Sequence, residues 1–518
     1  MAVSPTDFPT VKLELDTSPS GGTTRTWVDI TADLSAFQVS YGRSFELDTF
    51  QPGTHTYVLN NRSGNYRMFN TTGAYYPNLK PWRRMRLSAT WKSVVYYLAY
   101  GYIESIVPTR EGNYSEVQIT CADALAVLAL RILVPASLSV TTSTGVANGD
   151  ITYVSRSGSA QGGGYSVGGG WVGRGVIGGV PLGKLSAQPA AGSGGISVQY
   201  IEDSTADPGS ANVQVSGGAI TVRYQAGAAP TGRRAVRIVD DINGNAQASQ
   251  LVQASLAPGS NGSGHVDNYG PISLTGGFAQ QRSDLRVAAV LNLIGWPAAD
   301  RLIGTGTSNV AALTFVAADG VKALQHLQDT NMSELGQLFV DGQNRVVFQG
   351  QTARSQAPFN TVSCVLSDAP AAGEFDYADL TPSEDNQRIY NNITVSNAAT
   401  SATVSDSASI TDFLQSDLSY QTILAAPASV GSLANTLLTR YKTQRLRYDR
   451  VVLQPQRGDG LWDQVMALGI SNRVTVKEHP PGSSVLSSDC FIEQIAHTAD
   501  MSAGDPYVWQ TTYQLSPV

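Results

Sequence analysis

At 518 residues with 42% hydrophobic content, the chain is too long for one ordinary domain and can form several cores, so about three to five domains are expected. Charged residues make up only 14%, against a usual value of about 25%, which fits a surface largely covered by neighbours; 51 glycines and many Thr, Val and Tyr favour β-structure with frequent turns. The net charge of -7 argues against general nucleic-acid binding, and the three scattered cysteines, Cys121, Cys364 and Cys490, make neither a disulfide framework nor a zinc site.

Each cysteine reads as a small buried apolar side chain. The opening stretch MAVSPTDFPTVKLELD lacks a basic n-region and an apolar h-region, and no run of about 18 apolar residues occurs. The expectation is a protein made in a cytoplasm that stays soluble until it assembles or acts.

Residues 1–135 read as a β-domain. Met85, Leu87, Ala89 and Trp91 alternate with Arg84, Arg86, Ser88 and Thr90, a period of two that puts one face in a core. Val117, Ile119 and Cys121 repeat the pattern, and a helical stretch follows with Leu125, Leu128 and Ile132 on one face. Residues 136–197 are dominated by Gly, Ser, Ala and Val and read as a loop or arm with little apolar surface to bury. Residues 198–282 read as a small inserted β-rich module, with Val213, Val215, Ile220 and Val222 flanking a turn and a helix near 235–250.

Residues 283–380 read as a mixed α/β middle domain. Ser283 is placed to cap a helix carrying Val287, Val290, Leu291 and Ile294, stopped by Gly295 and Pro297. A second helix carries Val321, Leu324 and Leu327, and leads into a hairpin over 337–348 that turns at Asp341-Gly342-Gln343-Asn344. Residues 381–518 are again mainly β, with Ile393 and Val395, Val474 and Val476, and a closing strand whose one face is Tyr507, Trp509, Thr511, Tyr513 and Leu515. One helix interrupts them, with Val430, Leu433, Leu437 and Tyr441 on one face.

Site motifs are weak. Gly173-Arg174-Gly175-Val176-Ile177-Gly178 matches a dinucleotide-binding pattern but lacks the preceding strand and following helix that the chemistry requires. Gly178 to Lys184 matches a P-loop, yet Leu185 stands where a Ser or Thr hydroxyl would hold magnesium, and Pro181 removes an amide donor. The five histidines form no local ligand pair; His479 reads as a turn residue and His326 as part-exposed on a helix. Asp241 to Asn245 is only superficially like a calcium loop and reads as a polar turn. No catalytic, cofactor or metal site is therefore expected. Arg83, Arg84 and Arg86 could suggest a nucleic-acid patch, but Arg84 and Arg86 fall on the outer face of a strand, so all three read as contacts to carboxylates of a subunit or neighbour.

A resemblance takes this further. Tyr41-Gly42-Arg43-Ser44-Phe45-Glu46-Leu47-Asp48, the Leu59-Asn60-Asn61-Arg62 turn, Tyr75 to Pro81, Arg83 to Arg86, Gly101 to Ser105, and Val117 to Leu125 resemble the N-terminal region of minor tail proteins of long-tailed actinobacteriophages. Leu293 to Pro297, Ser333-Glu334-Leu335-Gly336, Phe339 to Gly342, Arg388 to Asn391 and Asp489-Cys490-Phe491-Ile492-Glu493 continue it, covering most of the chain outside 136–282.

The resemblance implies a baseplate hub-like, non-enzymatic virion protein at the tail tip, joining the tail tube to the tip and forming part of the DNA exit path. The implied fold is mainly β with α+β parts and multidomain: two tube-type β-barrels (1–135 and 381–518), the middle domain and the inserted module. The implied partners are two further copies in a homotrimer, a distal tail protein, a tape measure protein, other minor tail proteins and passing DNA. Two other readings stay open: an adhesin whose 198–282 module contacts cell-wall glycan, and a tail-associated cell-wall hydrolase.

Overall fold

The computed structural model describes residues 8–19, 24–111, 114–133, 137–140, 151–155, 176–177, 180–181, 197–206, 211–216, 219–225, 235–256, 269–273, 280–311, 321–384, 387–458, 460–502 and 505–518. The fold is mainly β with helical parts, distributed over several sheets. The largest sheet is built from both ends of the chain.

Its first half consists of β1 (Thr10–Asp16), β2 (Trp27–Asp29), β3 (Leu34–Gly42), β4 (Gln51–Asn60), β5 (Arg84–Trp91), β6 (Val94–Glu111) and β7 (Tyr114–Ala122). The pairing runs β2-β1-β5-β6-β7-β4-β3, all antiparallel. Only a short helical turn at Thr31–Asp33 separates β2 from β3. The run 27–42 thus borders both ends of the sheet and closes it. Alternation explains the core: Met85, Leu87 and Ala89 are buried while Arg84 and Arg86 are half-buried.

The second half consists of β8 (Val362–Ser367), β9 (Phe375–Asp376), β10 (Asp379–Ser383), β11 (Arg447–Leu453), β12 (Arg473–Glu478), β13 (Leu486–Ser502) and β14 (Asp505–Pro517). Its pairing runs β9-β8-β12-β13-β14-β11-β10. Shifting each label by seven reproduces the order of the first half. The closing device recurs too: β9 and β10 are nearly continuous, and the amide of Ala378 between them bonds the carbonyl of Val452 at 2.7 Å. One difference remains. β8 runs parallel to both its neighbours, whereas β1 is antiparallel to its own.

The two rings are one sheet because β3 also pairs with β13, from Ala36 opposite Asp500 to Gly42 opposite Gln494. Behind this seam Trp509 packs edge-on against Phe37 (5.1 Å) and Trp462 (5.3 Å), so a single apolar cluster runs through both halves.

Helices and small sheets fill the remainder. Helix α1 (Ala124–Leu130) buries Leu125 and Leu128; Ile132 lies beyond it, exposed in a short strand pair with Lys322, so the expected helical face ends earlier. Helix α2 (Ser283–Leu293) buries Val287, Val290 and Leu291. Its N-cap is Arg282, and the Ser283 hydroxyl bonds Glu334 instead of capping. Helix α3 (Ala323–Glu334) precedes the hairpin Gln337–Val340/Val346–Gln349, whose turn closes with Asn344 N to Asp341 O at 2.9 Å. His326, expected to be part-exposed, is 3% exposed beside Arg286, since α2 covers that side of α3.

Between β10 and β11, a sheet of Asn392–Ser396, Ser401–Ser405 and Asp417–Gln421 packs on helix α4 (Pro427–Tyr441), which buries Val430, Leu433, Leu437 and Tyr441. Ile393 and Val395 belong to this layer and not to the second ring, whereas β8 and β9, placed in the middle domain by sequence, belong to the ring. In β14, Trp509, Thr511, Tyr513 and Leu515 are buried as expected, but Tyr507 is 55% exposed, near the hairpin end.

In the 198–282 region, Ser197–Glu202, Asn212–Ser216, Ala219–Tyr224 and Tyr269–Ser273 form their own sheet. A second sheet combines Ser137–Val140 and Ile151–Ser155 with Val252–Leu256, and helix Ala235–Gly244 lies against the last of these. Asp241 to Gly244 ends this helix and is not a turn; the Asn243 side chain clamps the backbone of Ala254 through two bonds of 2.8 and 2.9 Å. Most of 136–197, including most residues of both glycine-rich phosphate patterns, lies outside the described residues. Val176–Ile177 and Val180–Pro181 pair with each other, antiparallel.

Candidate assembly surface

Where β3 leaves the seam, the backbone turns sharply. Gly42 has φ +120°, and a Cβ there would lie 2.3 Å from the Glu493 carbonyl oxygen, so only glycine fits. The next residue, Arg43, donates its amide to that carbonyl at 3.0 Å and its Nε to the Glu493 carboxylate at 2.8 Å. Arg354 and the Ser516 hydroxyl donate to the other carboxylate oxygen. Arg43 also reaches Gln337 at 2.7 Å and lies 4.7 Å over the Phe50 ring.

Glu493 is fully buried. Burial alone raises a carboxyl pKa, but the guanidiniums of Arg354 and Arg43 outweigh it and hold the group well below the usual carboxylate range. The cluster thus ties the first ring, the second ring and the middle region together at one point. It borders a pocket of about 100 Å³ that also takes in Glu46, Arg440 and Arg447. Arg447 donates to Glu46 at 2.9 Å.

A second buried carboxylate organises the middle region. Glu334 accepts from the Ser283 hydroxyl (2.8 Å), Thr307 amide and hydroxyl (2.8 and 2.9 Å), Ser308 amide (2.7 Å) and Gln351 amide (3.0 Å). It collects two loops onto the end of α3.

The three arginines singled out from sequence are engaged within the chain. Arg83 is buried and donates to the carbonyls of Asn78 (2.8 Å) and Ser18. Arg84 lies 3.7 Å from Asp16 and over the Tyr102 ring. Arg86 bonds Glu14 at 2.6 Å and covers Trp27 at 4.2 Å. The carboxylate partners of Arg84 and Arg86 sit on β1, one strand away, which the pairing of β1 with β5 brings alongside.

Glu493 and Glu334 were not singled out as site residues, although both fall in the blocks carrying the tail-protein resemblance. Their signal is a charged residue next to apolar neighbours, in Phe491-Ile492-Glu493 and in Met332-Ser333-Glu334-Leu335.

Among the described residues no group of three or more His, Cys, Asp or Glu side chains could hold a metal, and no helix is long and apolar enough to cross a membrane. His55 and His497 are buried, and burial pushes both imidazoles down to about 4. The three cysteines are buried and free; burial raises the Cys364 and Cys490 thiols to about 12.

No family model and no curated protein matches the chain. Among solved structures, a tail protein from Neisseria meningitidis MC58 aligns over 98% of this chain and 95% of its own, at 8% identity and a TM-score of 0.44. A 43 kDa tail protein of prophage MuSo2 from Shewanella oneidensis aligns over 98% and 97%, at 10% identity and a TM-score of 0.43. The E. coli c3393 protein, described as a type VI secretion component similar to the T4 bacteriophage tail proteins gp27 and gp5, aligns over 94% and 74%, at 8% identity and a TM-score of 0.37.

Proposed function

We propose that this chain is a structural, non-enzymatic subunit of a bacteriophage tail tip, a hub-type minor tail protein acting as a homotrimeric ring. The observation that carries the reading is the repeated strand order of β1–β7 and β8–β14, fused side by side through the β3–β13 seam. Two similar rings per subunit give three copies six quasi-equivalent units, which matches a sixfold tube to a threefold tip. Two of the sequence blocks that resemble minor tail proteins, 41–48 and 489–493, meet at the Arg43–Glu493 cluster beside the seam.

In this reading the ring encloses part of the DNA exit path, and a distal tail protein, a tape measure protein and further minor tail proteins are its neighbours. The ring units are β1–β7 and β8–β14, the sheet of residues 392–421 with α4 stands outside the second repeat, and 136–197 and 198–282 together supply an appended module. The test is the copy number of this chain in purified virions, with antibody labelling located by electron microscopy. Three copies at the tail tip support the reading; six or twelve copies, or label elsewhere on the particle, overturn it.

A further inference from the structure

The seam inside the subunit has two halves, and the counterpart of each has an edge that no strand covers among the described residues. β13 is 17 residues long. Its first part pairs with β12 up to Phe491, and residues 494–500 then pair with β3 along the same edge. β6, its counterpart in the first ring, is 18 residues long. It pairs with β5 up to Tyr102, and Trp82 and Arg83 bond the backbone of Ile103. Beyond that point, residues 104–109 have no strand on that edge among the described residues. Glu104, Ser105, Val107, Pro108 and Thr109 are exposed, Val107 by 53%.

The other half shows the same contrast. β3 lies between β4 and β13. Its counterpart β10 pairs only with β11, leaving its other edge open among the described residues. Among the described residues the molecule therefore carries one completed seam and, on its remaining flanks, the two unmatched halves of another.

From this we infer that residues 104–109 of one copy pair antiparallel with Asp379–Ser383 of the next copy, repeating between subunits the seam that β13 and β3 make within one. The inference rests on the ring reading above and names its contact. The same junction then occurs at every ring-to-ring boundary, alternately within a subunit and between subunits. Such a head-to-tail contact uses two different surfaces and generates a closed ring when the rotation closes. Open strand edges also pair readily, because each leaves a row of amides and carbonyls unmatched.

Each free edge includes one proline, Pro108 in β6 and Pro382 in β10. Proline offers no amide to a ladder, so the intermolecular ladder is short. A short ladder suits a junction that forms when several copies are held together and that leaves an isolated copy monomeric.

Paired cysteines test the contact. Ser105, Val107 and Thr109 are each changed to Cys in combination with Cys at Asp379, Thr381 or Ser383, and assembled tails are oxidised and run without reductant. Directly opposed residues on antiparallel strands have Cβ atoms about 4.5–5.5 Å apart, close enough for a disulfide bond in some pairs. Antiparallel pairing predicts cross-linking along a single diagonal, in which the position rises on β6 as it falls on β10, with covalent dimers and trimers at least tenfold above any single-Cys control. If three copies are present and no diagonal appears, this contact is wrong and the ring reading stands. If the particle holds a single copy, the ring reading itself falls.

Discussion

Arg43 and Glu493, 450 residues apart in sequence, are bonded at 2.8 Å in the buried interior at the end of the seam. The carboxylate's only compensation for burial comes from its partners, so replacing Glu493 with Gln leaves two guanidiniums without their counter-charge. Breaking a buried pair in this way costs on the order of 3 kcal/mol or more. Chemical denaturation of Glu493→Gln should show that loss. The pH dependence has a defined sign. Because the folded-state pKa is depressed, the stabilisation is present above the unfolded value near 4.5 and is lost as pH falls below it. Wild type should therefore lose stability on acidification below about pH 4.5, and the variant should show a shallower slope there.

Gly42→Ala should destabilise the seam. The positive φ and the 2.3 Å approach to the Glu493 carbonyl leave no space for a methyl group. The expected loss is on the order of 2 kcal/mol or more, read as a lower melting temperature, whereas Gly431→Ala, with nothing near its Cβ, should be tolerated.

The joint substitution of Arg83, Arg84 and Arg86 with Ser should lower the thermal stability of the first ring. It removes the Glu14 and Asp16 pairs, the stack over Trp27 and the buried bonds of Arg83. These pairs are partly solvent-screened, so each is worth about 1 kcal/mol or less, with more lost at Arg83. DNA release from particles that do assemble should be unchanged; slowed release with normal stability would place these side chains on the channel.

Excising residues 137–279 should leave both rings folded. The strands Ser137–Val140 and Ile151–Ser155 pair with Val252–Leu256 and with no ring strand. The melting transition of the remainder should shift by no more than a few degrees. Loss of soluble expression would show that the excised part supports a ring.

Local patterns carried much of the fold. The alternation in β5 and β14 and the helical spacing of Val430, Leu433, Leu437 and Tyr441 each report a buried face, because their periods reflect one element alone. The long-range features had no such signal. Nothing in residues 36–42 reveals that their partner lies at 494–500, and nothing in Val362–Ser367 distinguishes a ring strand from a middle-domain strand. Ser283 looks like a cap because caps are local, but its hydroxyl is taken by Glu334, 51 residues away. Tyr507 fits the alternation of its strand yet lies near the hairpin end, out of the core. Arg84 and Arg86 pair with carboxylates whose identity depends on the β1–β5 register, whereas Arg83, expected to do the same, is buried on the backbone carbonyls of Asn78 and Ser18.

The β3–β13 seam also sets a timetable for synthesis. The first ring can pair its own strands once about 120 residues have emerged, but the outer edge of β3 waits for residues 494–500. At roughly 5–20 residues per second, the roughly 375 residues between Ala122 and the 494–500 stretch take roughly 20 to 75 s to arrive. Throughout that interval the nascent chain presents an open strand edge on an already folded ring. On a polysome, where neighbouring chains hold the same edge exposed, each unfinished copy is a strand partner of the wrong kind for the next.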